Sequence, residues 1–339
     1  MFSSGLKTVG KLSGYALLAL IIVGAAFLGG VKYLVYKSAE QTAKHISAVE
    51  IGAEFPLGVN PKTKEIIEDP IVDWYVRQHL SINADRSRPA RFFERFLATL
   101  AQYGWYQQLA TPNSRILVIY PGERREEVVK NFADILGWSE KEREEFASLI
   151  TLSDPALSDG KFYPGRYVVE RKSPPQVVAD LVLNQFHHKI VSRYSADISA
   201  VVPLQDALTI ASLLEREAYD FTDMRIISGI IWNRLFIDMP LQLDASLQYV
   251  RGSRVNEPKW WPAVRPSDKF IESPYNTYQE KGLPPAPIAN PAVEAVVAAL
   301  NPKSTDCLFY FHDSSGNFYC TETYEEHVNK LNEVYKLTP

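Results

Sequence analysis

The stretch Pro203-Leu-Gln-Asp-Ala-Leu-Thr-Ile-Ala-Ser-Leu-Leu-Glu-Arg-Glu-Ala218 reads as a helix rich in Leu, Ile and Ala. At roughly 100° per residue, Ile210, Leu213, Leu214 and Glu217 fall together, the i, i+3, i+4, i+7 stripe that faces a core. An acid therefore stands where the pattern calls for an apolar residue. Glu215 lands roughly 160° away by the same arithmetic, between Leu204, Leu208 and Ala211. Only Gln205, Ser212 and Arg216 make a clearly polar stripe. A carboxyl held against apolar walls prefers its neutral form, so its pKa rises and it can donate a proton near neutral pH. Cleaving a glycosidic bond requires such a group. The plainer reading is that both glutamates sit at a frayed helix end or pair with Arg216, Arg225 or Arg234, since structural ion pairs also perturb acids.

The chain has 339 residues, a length that predicts two or three domains. With 46% apolar residues and 22% charge it is a folding chain. A net charge of −4 without a basic stripe argues against a nucleic-acid partner. From Leu12 to Val31 no charge interrupts the run LSGYALLALIIVGAAFLGGV, bracketed by Lys11 and Lys32. That length spans a bilayer core as a helix. A signal peptide would have a shorter apolar region and a small-residue cleavage site, which is not seen here, so an uncleaved anchor is expected. Lysines on both flanks leave its orientation open.

Residues 1–11 form a short tail before the anchor, and 32–110 a stalk with an irregular part and a helix over 88–110. A strand is expected at Ile116–Tyr120, then helices over 124–136 and 139–150, making a small module over 111–170 that closes with a turn-rich hinge at Asp159–Tyr167. Residues 171–339 form the larger part. Helices are expected there over 174–195, up to Glu217, and over 222–237, followed by a loop-rich stretch from 238 to 289. Asn290 and Pro291 should cap and open a helix that closes at Asn301-Pro302. A hairpin of Leu308–Phe311 and Phe318–Thr321 and a last helix over 323–336 complete an α+β fold.

Several chemistries find no support. No phosphate-binding glycine loop and no G-x-S-x-G elbow occurs. Six histidines are scattered apart from His187-His188, which point different ways on a helix, so no metal and no cofactor is expected. The two cysteines, Cys307 and Cys320, would be neighbours if they face each other across the hairpin. Cross-strand Cβ spacing is slightly wider than a relaxed disulfide prefers, so two packed thiols are expected, with a bridge geometrically open. What remains is the inventory of a carbohydrate site. Asp244 lies in Leu241-Gln-Leu-Asp-Ala-Ser246, and Ser273-Pro-Tyr-Asn-Thr-Tyr278 is a run of donors, acceptors and rings. Gly282-Leu-Pro-Pro-Ala-Pro-Ile288 should be stiff and extended. Trp260-Trp261 could offer ring faces to a sugar or serve as packing.

The order and wording of this half resemble the MltG (YceG-like) endolytic murein transglycosylases. The matching stretches are A-S-L-L-E-R-E-A (211–218), N-R-L (233–235), M-P-L-Q-L-D (239–244), S-P-Y-N-T-Y (273–278), G-L-P-P-A-P-I-A-N-P (282–291) and T-x-x-E-H (323–327). Upstream, Y-P-G-E-R-R-E-E-V (120–128) and G-K-F-Y-P-G-R-Y (160–167) look like that family's LysM-like module and joining element. The resemblance implies a single N-terminal transmembrane helix, a LysM-like small module and an α+β catalytic domain outside the cytoplasmic membrane. It implies cleavage of the bond between N-acetylmuramic acid and N-acetylglucosamine within peptidoglycan strands to leave 1,6-anhydro ends, with peptidoglycan synthases as candidate partners.

The second glutamate of the E-x-E pair is the family's catalytic one, a role that carries over to Glu217. Glu215 would orient a loop or a partner arginine. Asp244, Tyr275 and Asn276 would hold the sugar or Glu217, with Asn233 and Arg234 as further supporting residues. Gly165 stands where the family usually has Asp, and Phe318 or its neighbour where it commonly has His, which puts a polar contact there in doubt. The alternatives are a hydrolase using the same groove and a non-catalytic, membrane-anchored glycan-binding scaffold.

Overall fold

A computed structural model describes residues 54–70, 72, 114–151, 157–253 and 259–336. The expected anchor at 12–31 and the helix over 88–110 lie outside the described residues, among which no helix is long and apolar enough to cross a membrane. The described end of the stalk is not loose. Strands β1 (Val59–Asn60) and β2 (Glu65–Ile66) form a small antiparallel ladder. Phe55, Val59 and Val72 are buried in the larger core. Gly58 N donates to Leu300 O, and Asn301 Nδ2 donates to Pro56 O.

In the small module, β3 (Ser114–Ile119) runs into α1 (Arg125–Leu136) and α2 (Glu140–Thr151), and the chain returns as β4 (Gly165–Glu170), antiparallel to β3. Helix α1 stops at Gly137, whose φ of 70° supplies the left-handed turn that a C-terminal glycine adopts without steric cost. The hinge expected at 159–167 thus hides the start of a strand. Its alternation is regular, with Tyr167 and Val169 inward and Arg166, Val168 and Glu170 outward. These side chains close a core with Leu117, Ile119, Phe132, Phe146 and Phe162.

Helix α3 (Pro175–Lys189) bridges the two cores. Val178, Ala179 and Val182 complete the small one, while Phe186 reaches the large one. It ends six residues before the expected 195, yielding to a 3₁₀ turn and to α4 (Ala196–Val201), which Ser195 caps.

Helix α5 (Leu204–Glu217) is the axis of the larger part, and every residue from Ala207 to Leu214 is buried. Ser212, read as part of a polar stripe, is fully buried. Its Oγ donates to Thr209 O and accepts from Ile288 N, so it fastens the proline-rich segment to the helix. Helix α6 (Phe221–Phe236) begins at an Asp220 cap and approaches the segment after residue 300 very closely. A Cβ at Gly229 would lie 2.2 Å from Lys303 O, so only glycine permits that contact. Helix α7 (Asp244–Gly252) and a 3₁₀ turn at Pro266–Phe270 stand inside the stretch expected to be loop. Helix α8 (Val293–Leu300) packs on α5 and α6 and is almost wholly buried.

Asn290 does not cap α8, whose cap residue is Ala292. It is fully buried at the junction of the two parts instead. Its Oδ1 accepts from Gly160 N and Phe162 N, and its Nδ2 donates to Glu123 O. The backbones of Gly122, Glu123 and Asn290 are also bonded to each other. A side chain with both donor and acceptor was needed to satisfy groups on two segments, and that use overrides the capping preference.

The chain ends with β5 (Phe309–His312), β6 (Phe318–Thr321) and α9 (Tyr324–Tyr335). Phe309 and Phe311 meet His327 of α9, while Tyr310 and His312 take the opposite face of β5. Cys307 and Cys320 form a disulfide, which corrects the expectation of free thiols. Cys320 stands opposite Tyr310, and Cys307 approaches from the segment before the strand, with Cα atoms 5.7 Å apart. The spacing assumed for a directly opposed pair therefore does not apply. The bridge closes a separation of 13 residues and should contribute about 2–3 kcal/mol. A Cys307→Ser, Cys320→Ser chain is expected to unfold at correspondingly lower denaturant. An unfolding midpoint that neither this change nor reductant moves would contradict that contribution.

Candidate active site

Two segments, the first turn of α7 and strand β5, converge on the end of α5. Glu217 is its last residue, half-buried, and both carboxylate oxygens are occupied. Oε1 accepts from Ala245 N at 2.9 Å, in the first turn of α7. Oε2 accepts from the Tyr310 hydroxyl at 3.0 Å, from β5. The helix end is held from both sides, so the frayed-end reading does not hold. Neither glutamate forms an ion pair among the described residues, although Arg216 is near enough to favour the Glu215 carboxylate and His312 that of Glu217. Arg216 instead lies 3.9 Å over the Trp261 ring, and Arg225 and Arg234 donate to backbone carbonyls.

Burial pushes the Glu217 carboxyl above its ordinary range, outweighing the two hydrogen bonds that favour the carboxylate, and neighbouring Asp244 adds to the rise. The Tyr310 hydroxyl is held well above its ordinary value by burial and then by Glu217, so it stays a neutral O–H. A hydroxyl can donate to a carboxylate or accept from a carboxylic acid. Oε1 is fixed as an acceptor by a backbone N–H, which leaves Oε2 as the oxygen that gains and loses a proton. Tyr310 can follow both states by rotating its hydroxyl.

Glu215 points elsewhere. Its Oε1 accepts from Ala292 N at 2.8 Å, so it orients the loop that enters α8. Burial raises its carboxyl to about 7, against the lowering effect of that N–H. Asp244 is exposed at the start of α7, and its Oδ1 accepts from the Tyr278 hydroxyl at 2.7 Å. Tyr275 is half-buried and packs on Tyr249 with ring centroids 4.9 Å apart. Glu217 and Asp244 are thus brought together, with Tyr278 beside them.

Three candidates are placed differently. Asn276 is fully buried, its amide donating to Lys269 O and Ile271 O while its oxygen accepts from Tyr278 N. It has no face for a sugar and instead shapes the loop that carries Tyr275 and Tyr278. Asn233 donates to Thr305 O and Cys307 O. Arg234 is buried and donates to Leu308 O, Leu241 O and Pro240 O, joining the hairpin to the segment before α7. Both serve as backbone clamps, a supporting role at a distance from the Glu217 carboxyl's own hydrogen bonds. The tryptophans also turn inward. Trp261 Nε1 donates to Glu127 Oε2, and Arg124 lies against Tyr249 and both indoles, stapling α1 to the larger part.

Tyr310 and Tyr278 escaped the sequence reading. Tyr278 closes the quoted S-P-Y-N-T-Y run. Tyr310 was signalled only by strand alternation, which cannot say what the face meets. Phe318, where a polar contact was in doubt, stacks on Tyr310 and stands opposite His312, whose Nε2 lies 2.9 Å from Asp223 Oδ2. Among the described residues no group of three or more His, Cys, Asp or Glu side chains is placed to hold a metal ion.

The chain is similar to proteins named endolytic murein transglycosylase. That from Bacillus subtilis is 34% identical over 180 residues, covering 52% of this chain and 48% of the relative. That from Streptococcus pneumoniae is 30% identical over 176 residues, covering 52% of this chain and 32% of the relative. The chain thus spans about half or less of the length of these curated relatives. A solved yceG-like protein from Listeria monocytogenes superposes with a TM-score of 0.56 at 26% identity, covering 64% of this chain and 75% of that one. Residues 84–333 match the YceG-like family, a span that takes in the small module, α5 with its glutamates, and the hairpin that grips Glu217. The chain belongs to the YceG-like family.

Proposed function

We propose that this chain is an endolytic murein transglycosylase in which Glu217 is the catalytic acid and base. The observation that carries the reading is the Glu217 carboxyl itself, bound by one N–H and one hydroxyl, without an ion pair among the described residues, and raised in pKa because burial outweighs the hydrogen bonds and the nearby His312. Glu217 in its acid form protonates the oxygen leaving the muramic anomeric carbon, and the C–O bond breaks. The muramic 6-hydroxyl then forms the new bond to that carbon and gives its proton to the Glu217 carboxylate. Proton and bonds balance without water, and the acid is regenerated. An internal nucleophile is held at high effective concentration, so one carboxyl suffices where hydrolases need two at a set separation. Asp244 and Tyr278 border the acid and are suited to bind sugar hydroxyls, and synthases that extend the strand are the partners this reading implies.

Mass spectrometry of products from purified peptidoglycan tests the reaction. Anhydro-muramic ends formed inside strands are expected. Reducing muramic ends would mean a hydrolase, and no cleavage a scaffold. The strand–helix–helix–strand order of residues 114–170 supports a LysM-like module. The uncharged run at 12–31 supports a single-pass anchor with the catalytic part outside the cytoplasmic membrane. The chain should then stay with membranes through a high-salt wash and lose its large part to protease added outside. Recovery of a soluble form starting near residue 30 would overturn the anchor.

A further inference from the structure

We propose that Tyr219, held in place by the His312–Asp223 pair, is a stacking platform for a pyranose ring of the glycan beside the bond that is cleaved. The proposal deepens the reading above and names a substrate-positioning residue for it. Tyr219 lies two residues past Glu217, in the turn between α5 and α6, and is 70% exposed. Single exposed aromatics are ordinary on protein surfaces, so exposure alone says nothing. What sets Tyr219 apart is how it is held. Its backbone N donates to Asp223 Oδ2 at 3.4 Å, and the same oxygen lies 2.9 Å from His312 Nε2. The His312 ring meets the Tyr219 ring at 4.6 Å and 72°.

The His312 and Asp223 side chains are only 12% and 13% exposed, so two polar groups are largely withdrawn from water to fix a ring that remains in it. His312 is itself confined by Phe318 at 5.2 Å. His312 and Tyr310 are two residues apart on β5 and share its inward face. One strand face thus grips the acid through Tyr310 and the exposed ring through His312. Sugar rings present C–H faces that pack on aromatic rings, and a ring fixed in advance loses little freedom on binding. A glycan strand passing Glu217 would meet Tyr219 as its nearest open aromatic face along the chain.

The test uses the full chain with Glu217→Gln, which should hold glycan without turning it over. Its affinity for peptide-free murein glycan strands is measured alone and with Tyr219→Ala, Tyr219→Phe or His312→Ala added, each checked for an unchanged unfolding midpoint. Tyr219→Ala should weaken binding about tenfold, the scale of one lost aromatic contact. Tyr219→Phe should stay within about twofold, and His312→Ala should fall between them. In the chain that keeps Glu217, Tyr219→Ala should raise KM more than it lowers kcat. Equal affinity of the Ala and parent chains, or no glycan binding by any of them, overturns the platform. Loss of binding with Tyr219→Ala in a chain whose Glu217 form makes no anhydro ends supports the platform and overturns the reaction, so the two readings fail separately.

Discussion

Glu217→Gln is expected to lower glycan cleavage by at least about 10²-fold, the usual scale for removing a positioned general acid. The amide keeps the shape of the carboxyl. Its oxygen can still accept from Ala245 N, and its nitrogen can donate to the Tyr310 oxygen, so the fold should survive. Only the proton is lost. Because burial raises the Glu217 carboxyl, the acid form persists to higher pH than for a free glutamate, and activity should decline as pH rises through that raised value. Tyr310→Phe removes one of the bonds that favour the carboxylate, so it should move this decline further up in pH while lowering the rate. A pH–rate profile of both variants checks the assignment. Near-normal turnover by the Gln variant would exclude Glu217, and Glu215 would then be the acid to examine.

Arg234→Met, which keeps the length of the side chain but no donor, should cost about 3 kcal/mol of stability, since the carbonyls of Leu308, Pro240 and Leu241 lose a charged donor and each unsatisfied acceptor costs about 1–3 kcal/mol. Against a typical total of about 5–15 kcal/mol this is a large loss. If Arg234 is a clamp, the fraction that stays folded should bind glycan with nearly normal affinity. Denaturant unfolding and a binding isotherm on the same preparation separate the two roles. Weakened binding with unchanged stability would instead place Arg234 on the substrate.

The readable parts of the fold were those whose burial is one-sided or complete over many residues. Helix α5 announced itself by its apolar spacing, and the hairpin by two aromatic runs around Asp-Ser-Ser-Gly-Asn. Strand β4 did not, because Gly165 and the preceding proline read as a hinge while its alternation occupied only a few residues. Helix α7 was hidden by flanking prolines and by its short length, and it supplies the Ala245 N–H that the acid needs. Asn276 and Arg234 show a different limit. Both stand in stretches that carry the family resemblance, yet their side chains are used on backbone carbonyls, and sequence cannot tell a polar residue that binds substrate from one that satisfies a loop.

The grips on Glu217 come from 28 and 93 residues away along the chain. Contacts so distant in sequence close late, because the intervening chain must surrender its freedom before the bond returns anything. Helix α5 can form early from local contacts, but its last residue becomes an enclosed acid only when α7 and the hairpin have docked. In refolding, cleavage should therefore return no sooner than the slowest spectroscopic phase. A chain still emerging or half assembled carries the glutamate without the two grips that enclose it, so the environment of this carboxyl is expected to arise only once α7 and the hairpin are in place.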